Sequence, residues 1–441
     1  MCDDGKVLVV EKADNLAIAE KSNTCVPSYT LSDADVRHNM IVCVMLDAIF
    51  LTGWADLVMA TQPLLVYLNA KDSMIGAING MMIWGLIGIF LSPFISRRFK
   101  YKKWYLLITH IPYLGALGLI GLALIYGYRL GYTKSDLLWI VYFLNLAHWF
   151  FAGFVGLPHQ EYVAACIPMS HRGRFMGYSF SISGVTAIGS AAIGRWILNN
   201  VPEPTCYGYL FLMTWGLCQS GYALALLGRE CPAAVEKAPR AWSKEMLKAA
   251  WLDKPFVRLM ILITLYTTLI VPVWGFVQVY GLRELGMKPA SSANIQIIAQ
   301  IIRISTCALI GILTDRLGPK KILPYWSLVA FIGFASVICI RNPYGVYIAM
   351  GISTLYWAGS TAAGNALLYG IPSPENRAGH FTVQLIITYA ASTIGPRIAG
   401  IACDHLSYPI VFTASAIIAL LLYPFTKRMA VLFKDDAKSY S

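Results

Sequence analysis

Twelve separate apolar stretches, each about as long as the roughly 20 residues a helix needs to cross a bilayer, dominate this sequence. They fall at 39–65, 73–95, 104–127, 137–162, 173–198 and 207–228, then at 256–281, 291–314, 321–340, 344–369, 378–402 and 408–427. A chain with this many spans must satisfy its backbone within helices or a closed barrel. Stretches of this length read as helices. Composition agrees: only 13% of residues are charged, about half the share of a soluble chain, and mean hydropathy is +0.59. The net charge of +12 does not make the chain a nucleic-acid binder, because basic loops on a membrane protein give the same total.

Those charges set the orientation. With both ends in the cytoplasm, the inner loops hold 18 Lys and Arg and the outer loops six, namely Lys71, Arg129, Lys134, Arg283, Lys288 and Arg341. The positive-inside rule then gives a multi-pass protein of a plasma or bacterial inner membrane with both termini cytoplasmic. No cleavable signal is expected, since the first 36 residues mix acids and bases around a short apolar run at Val7–Val10. The ten cysteines are scattered and make no CxxC pair, so neither a zinc site nor a disulfide framework is expected. Cys206 is placed in an outer loop. The expected organisation is a tail at 1–36, six spans at 37–228, a cytoplasmic linker at 229–254, six spans at 255–428 and a tail at 429–441. The linker stretch Trp242–Lys248 has the composition of a helix on the membrane surface.

The two sets of six look like copies. Gly311-Ile312-Leu313-Thr314-Asp315-Arg316-Leu317-Gly318-Pro319-Lys320-Lys321 follows the eighth span, and Ser92–Lys103, rich in the same basic residues, follows the second. Arg172-Gly173-Arg174-Phe175 opens the fifth span and Arg377-Ala378-Gly379-His380-Phe381 the eleventh. Both of those spans carry a Gly-x4-Gly spacing, Gly189/Gly194 and Gly395/Gly400. At Gly311, Asp315, Arg316, Gly318, Lys320 and Lys321 the chain resembles the major facilitator superfamily, whose signature loop reads Gly-x3-Asp-Arg-x-Gly-x-Lys-Lys. The first-half copy departs from it, with Ser96 or Arg97 where the acid stands and Phe99 or Lys100 where the glycine stands. The resemblance covers about 37–428. It implies an all-α membrane protein of two pseudo-symmetric six-helix bundles that rock about a central site, with helices 1, 4, 7 and 10 around the cavity. By analogy with that architecture it works as a single chain.

Charges inside spans are costly, at least ~2.5 kcal/mol each at a helix centre, and so are functional candidates. Arg303 lies mid-span in a polar stripe with Gln296, Gln300 and Cys307, spaced i, i+4, i+7, i+11 on one helical face. It needs a carboxylate partner or an anionic substrate. Asp56 and Asp47 are candidate proton-coupling carboxylates. Nine residues apart, they point oppositely on an ideal helix, and Asp56 is preferred. His148, with Asn145 and Trp149, is either a titrating or substrate-binding residue or a packing one. His110 is read as structural. Trp274, Gln278, Trp357 and Asn365 supply the aromatic faces and amides that a sugar ring or small aromatic solute would meet, or else ordinary packing. Glu161, Arg172 and Arg174 form a cytoplasmic gating cluster with Asp315 and Arg316; Asp315 is placed to meet the start of the fifth helix. Arg195 and Arg397 either snorkel to the outer surface or act as outer-gate cations.

These features point to a secondary active transporter, with proton-coupled symport of a small polar or anionic organic solute (a sugar, sugar acid or carboxylate) preferred and sodium the other ion considered. The alternative is a proton-antiport exporter of amphipathic compounds. No Walker loop, nucleophile constellation or metal motif appears, so no cofactor is expected and neither an ATP-driven pump, an enzyme nor a channel is favoured.

Overall fold

The computed structural model describes residues 31–96, 98–168, 171–231, 244–371 and 377–436. Among these residues the chain makes twelve long helical passes: α1 (Asp33–Tyr67), α2 (Asp72–Ser96), α3 (Lys102–Leu130), α4 (Lys134–Cys166), α5 (Arg172–Asn200), α6 (Thr205–Leu227), α7 (Lys254–Arg283), α8 (Ser291–Leu317), α9 (Pro319–Cys339), α10 (Pro343–Gly370), α11 (Arg377–His405) and α12 (Tyr408–Asp436). The twelve-helix, two-bundle expectation holds. Ten of the twelve are apolar enough to cross a membrane on composition alone. The two that fall short, α8 and α10, carry Gln296, Gln300 and Arg303 and a run of Gly, Ser, Thr and Asn. Polar content of that kind is tolerated where a helix faces protein or water rather than lipid.

Helix ends follow local chemistry. Ser32 and Asp35 form a capping box, so α1 begins at Asp33, inside the stretch read as a tail. Thr133 and Asp136 do the same for α4, and Asn342 and Asp253 cap α10 and α7. Of the helix starts without a local side-chain cap, two take one from a distance. The carboxylate of Glu230, just beyond α6, accepts the backbone N–H of Lys102 and, at 3.1 Å, of Lys103. Burial holds that carboxyl above its ordinary range, against the opposing pull of those two N–H groups. The start of α2 takes its cap from α11, as described below.

The first linker residues are fastened to the N-terminal half. Asn39 donates to the carbonyls of Cys166 and Arg229 and accepts from the Arg229 N–H, and Arg229 pairs with Asp35 at 2.7 Å. Beyond 232–243, a short helix at Lys244–Leu252 packs on the start of α11; Trp242 and Ser243 lie outside the described residues. Cys206, expected in a loop, is buried in the first turn of α6, because the helix starts at Thr205.

Within the N-terminal half α1 packs on α5 and α6, and α3 on α4 and α6; in the C-terminal half α9 packs on α10 and α12, and α8 on α10. The halves meet through two matching pairs, α2 with α11 and α5 with α8. This is the arrangement an internal repeat with a pseudo-twofold axis dictates. We call the side bearing both chain ends the terminal face and the other the far face. Toward the far face the α2–α11 crossing is backbone on backbone: a Cβ at Gly76 would strike the carbonyl of Pro396, and one at Gly400 the carbonyl of Asp72. We therefore expect Gly76→Val to pry this seam apart, destabilising the closed form by about 1–3 kcal/mol. Spin labels at Asn69 and Leu406, both exposed, should report a longer distance in the variant; an unchanged distance distribution would show the seam is not held by this contact.

Candidate functional site

The polar stripe of α8 faces the other half of the molecule. Gln296 donates to the carbonyl of Ala55 on α1 at 2.9 Å. Arg303 donates from Nη2 to Ser183 Oγ on α5 at 3.1 Å, and its Nε is buried without a partner. Gln300, between them, is 4% exposed and its Oε1 is likewise unpartnered. Cys307, at the terminal end of the stripe, is exposed. No ion pair to Arg303 is present among the described residues, so the guanidinium holds a hydroxyl rather than the carboxylate that its depth would demand.

Asp56 is the matching case. It is 1% exposed; Oδ2 accepts from Ser190 Oγ on α5 at 2.6 Å, and Oδ1 is unpartnered. One turn away Thr52 and Thr186 share a hydrogen bond of 2.6 Å. Ser179, Ser183, Thr186 and Ser190 thus line one face of α5 at i, i+4, i+7, i+11. Arg303 and Asp56 hang from hydroxyls seven residues apart on it, about 10 Å by helical rise. This hydroxyl face is absent from the sequence-based candidates, although its spacing is as regular as that of the Gln296 stripe.

The other candidates are distributed more widely. Trp274 is stacked on Phe334 of α9 (4.2 Å, 13°), with its Nε1 buried and unpartnered. Gln278 donates to Ser292 at the start of α8 at 2.7 Å. Both are inside the C-terminal half. Trp357 is 55% exposed, and Asn365 is exposed eight residues further along α10. Asn145 donates to the carbonyl of Ile78 on α2. His148 is fully buried, its Nδ1 on the carbonyl of Tyr113 at 2.9 Å, and Trp54 lies edge-on to Trp149. Asp47 faces His159 Nε2 at 3.3 Å, away from Asp56, as the half-turn offset requires.

At the terminal face Glu161 accepts from Ser96 Oγ at 2.6 Å and pairs with Lys102 at 3.4 Å. The α2–α3 loop, which lacks the acid of the signature motif, obtains a carboxylate from α4. Arg172 donates to the carbonyls of Ile167 and Ala164, closing the end of α4. Arg174 and Arg316 are exposed; the side chains of Asp315 and Arg377 lie outside the described residues.

At the far face, residues counted in the sequence as loop charges form a cross-bundle latch. Asp404, near the end of α11, accepts the backbone N–H groups of Asp72 (2.8 Å) and Ser73 (3.0 Å), capping α2 from the opposite half. Asp72 in turn accepts from Arg283 Nη1 (2.7 Å) and Tyr408 Oη (2.8 Å), and Arg283 also holds the carbonyl of Ala70. Ile83 N donates to Thr393 Oγ1 further in. Arg397 is exposed; Arg195, also exposed, lines a far-face cavity of about 240 Å³ with Asn199, Lys288, Ser291 and Asn294. α4 packs on α2 and α3, and among the described residues has no comparable packing on α10 or α11.

This arrangement has counterparts among solved structures. A mutant of the nucleoside transporter NupG superposes with a TM-score of 0.70 at 14% identity, covering 89% of this chain and 99% of that one. A bacterial homologue of the human lysosomal transporter Spinster, inward-facing and unoccupied, gives 0.64 at 14% identity over 92% and 99%. The xylose transporter XylE from E. coli, partially occluded and inward open, gives 0.63 at 15% identity over 89% and 98%. No protein-family model and no curated protein matches the sequence. The chain has the major facilitator fold, and it is a multi-pass membrane protein.

The latch makes a prediction. Asp72→Asn and Arg283→Gln should each favour an open far face, and the double variant should be little worse than either. The coupling between the two should be at least about 1 kcal/mol, read as the shift in open population by spin-label distances. Strictly additive single effects would remove the pair from the latch.

Proposed function

We propose that this protein is a secondary active transporter that works by alternating access and carries a small polar or anionic organic solute in symport with a proton. The supporting observation is the Arg303–Ser183 bond. It joins the two halves at mid-depth, leaves one guanidinium nitrogen buried and unspent, and has no carboxylate beside it among the described residues. A carboxylate or hydroxyl-rich solute entering between the halves would take over the guanidinium from Ser183. The planar fork of arginine suits such a group in a two-pronged grip. Gln296 and Gln300 extend the same face and would bind neutral hydroxyls.

Asp56 is the carboxylate assigned to the proton. It shares the α5 hydroxyl face with Arg303 but is bonded through Ser190 instead, so its occupancy and that of Arg303 are read by one helix. With the charge rule placing the terminal face in the cytoplasm, the latched far face makes this an inward-directed form. Glu161, Lys102 and Arg172 then belong to the cytoplasmic gate with Asp315, Arg316 and Arg174, while Arg195, Arg397 and the latch belong to the outer one. Trp274, Gln278, Asn145, Trp149, Trp357 and Asn365 are assigned to the walls around the solute, His148 to the proton, and Asp47 to the cytoplasmic side.

The test is uptake into proteoliposomes of xylose, glucuronate and uridine, with acid outside and with equal pH. We expect the wild type to accumulate one of these classes only under the gradient. A charge-assisted hydrogen bond is worth about 1.5–3 kcal/mol, so Arg303→Ala should weaken solute binding about tenfold to a hundredfold, and Arg303→Lys should restore only part of it. Asp56→Asn should abolish accumulation and spare exchange at equal pH. Wild-type accumulation by Arg303→Ala would remove that residue from the site, and gradient-independent flux would remove the proton.

A further inference from the structure

Among the chain's seven histidines, the rings of His110, His148 and His159, buried or half-buried in the N-terminal half, form a column with aromatic partners that draws on four helices. His159 on α4 faces Asp47 of α1 at 3.3 Å and lies edge-on to Tyr222 of α6, 5.8 Å between ring centres. His110 of α3 is tilted against the Tyr222 ring, 3.2 Å between ring centres, and lies edge-on to Tyr113 at 5.7 Å. Tyr113 is stacked on His148 of α4 at 4.5 Å, and His148 on Trp54 of α1 at 6.1 Å. The column begins near the terminal face and ends beside Ala55, whose carbonyl takes the Gln296 bond from the opposite half. Eleven residues of α4 separate its two outer imidazoles, about 16 Å along the helix.

The hydrogen bonds fix where each ring can take a proton. A carbonyl only accepts, so His110 Nδ1, 2.6 Å from the Leu106 oxygen, and His148 Nδ1, 2.9 Å from the Tyr113 oxygen, both carry hydrogen. Their Nε2 atoms are bare acceptors, buried and without partners. With the hydrogen of His159 on the nitrogen facing Asp47, its Nδ1 is bare in the same way. Three buried lone pairs left unspent in succession are an expensive arrangement for packing alone. The other titratable groups beside the column are Cys218 on α6 and Tyr389 of α11, both near Tyr113, and Asp56 on α1 lies near Cys218 in turn.

We propose that His159, His110 and His148 carry the coupling proton through the N-terminal half, between the terminal face and the edge of the central site. This rests on the proton-coupled reading above. A proton taken up from solution on a bare nitrogen makes an imidazolium, with Asp47 the counter-charge at the entrance. The bare nitrogens are not in contact with one another, so a water entering between the rings takes the proton from one and gives one to the next; the first ring is left neutral, the water is regenerated and one proton moves at a time. Tyr222 and Tyr113 hold the rings in sequence.

The direct test is nitrogen NMR of the full chain, labelled at histidine and embedded in nanodiscs, with the proton itself as the probe. His110→Asn and His148→Asn keep a donor in the place of Nδ1 and delete the bare acceptor; His159→Gln keeps the donor facing Asp47. These variants assign the signals. We expect the Nδ1–H form at His110 and His148 and, over a scan from about pH 8 to 5, a change of the His159 signal that differs in Asp47→Asn and a response of the His110 signal to it. Three rings that stay neutral over this range, or that titrate without regard to one another, would overturn the proposal. In proteoliposomes, His110→Asn and His148→Asn should lose gradient-driven uptake of the transported solute and retain exchange at equal pH. If the wild type responds to the gradient and these variants do so equally, the column fails alone; if the wild type does not respond, the coupling reading fails and the titration decides the column by itself.

Discussion

The N–H groups that open a helix have no partner within it, and where a helix starts against another half of the molecule a side chain from that half can supply one. α2 begins at the seam between two halves, and its first two N–H groups are held by Asp404 from the other half. The bond satisfies a requirement of α2 while it ties α2 to α11. Around it Asp72, Arg283 and Tyr408 close the remaining polar atoms on one another. The glycine-lined crossing below, at Gly76 and Gly400, is possible only because the backbones are brought this close. The depth at which the halves touch at the far face follows from this cap together with the glycine crossing.

Much of the fold is legible in the sequence because hydropathy is a coarse and repeated signal. The span boundaries need only length and apolarity, and the α2–α11 and α5–α8 pairs follow from a repeat already visible in the loops. The stripe of Gln296, Gln300 and Arg303 is legible for another reason: an arginine in an apolar run has few neutral explanations. The latch is not legible. Asp72, Arg283 and Asp404 stand at helix ends, where charge is ordinary, and counting Arg283 among loop residues gives no hint that it reaches a carboxylate 211 positions away. The α5 hydroxyl face is hidden by the opposite fault. Ser and Thr are unremarkable in membrane helices, so their spacing carries weight only once Arg303 and Asp56 are seen to hang from it.

The histidines show the limit of reading residues singly. His110 on its own is a packing residue, and its hydrogen bond to Leu106 fits that description. Only the stacking of Tyr222 and Tyr113 between it and its two neighbours makes the three bare nitrogens a series. That relation runs across four helices and has no signature along the chain.

Depth also sorts the cross-seam contacts by how easily they exchange. At the far face they are ion pairs and charge-assisted caps, strong and costly to leave half-made. At mid-depth they are a hydroxyl held by Arg303 and a carbonyl held by Gln296. A serine hydroxyl can turn to its own helix when its partner leaves; Ser183 already donates to the Phe180 carbonyl at 3.0 Å. Losing Arg303 therefore strands no charge on α5. A carboxylate at that position would have bound the guanidinium more tightly and would have been left buried and unpaired whenever the halves parted. The neutral hydroxyl face thus leaves Arg303 able to change partners at mid-depth, while the ionic latch at the far face keeps the two halves registered.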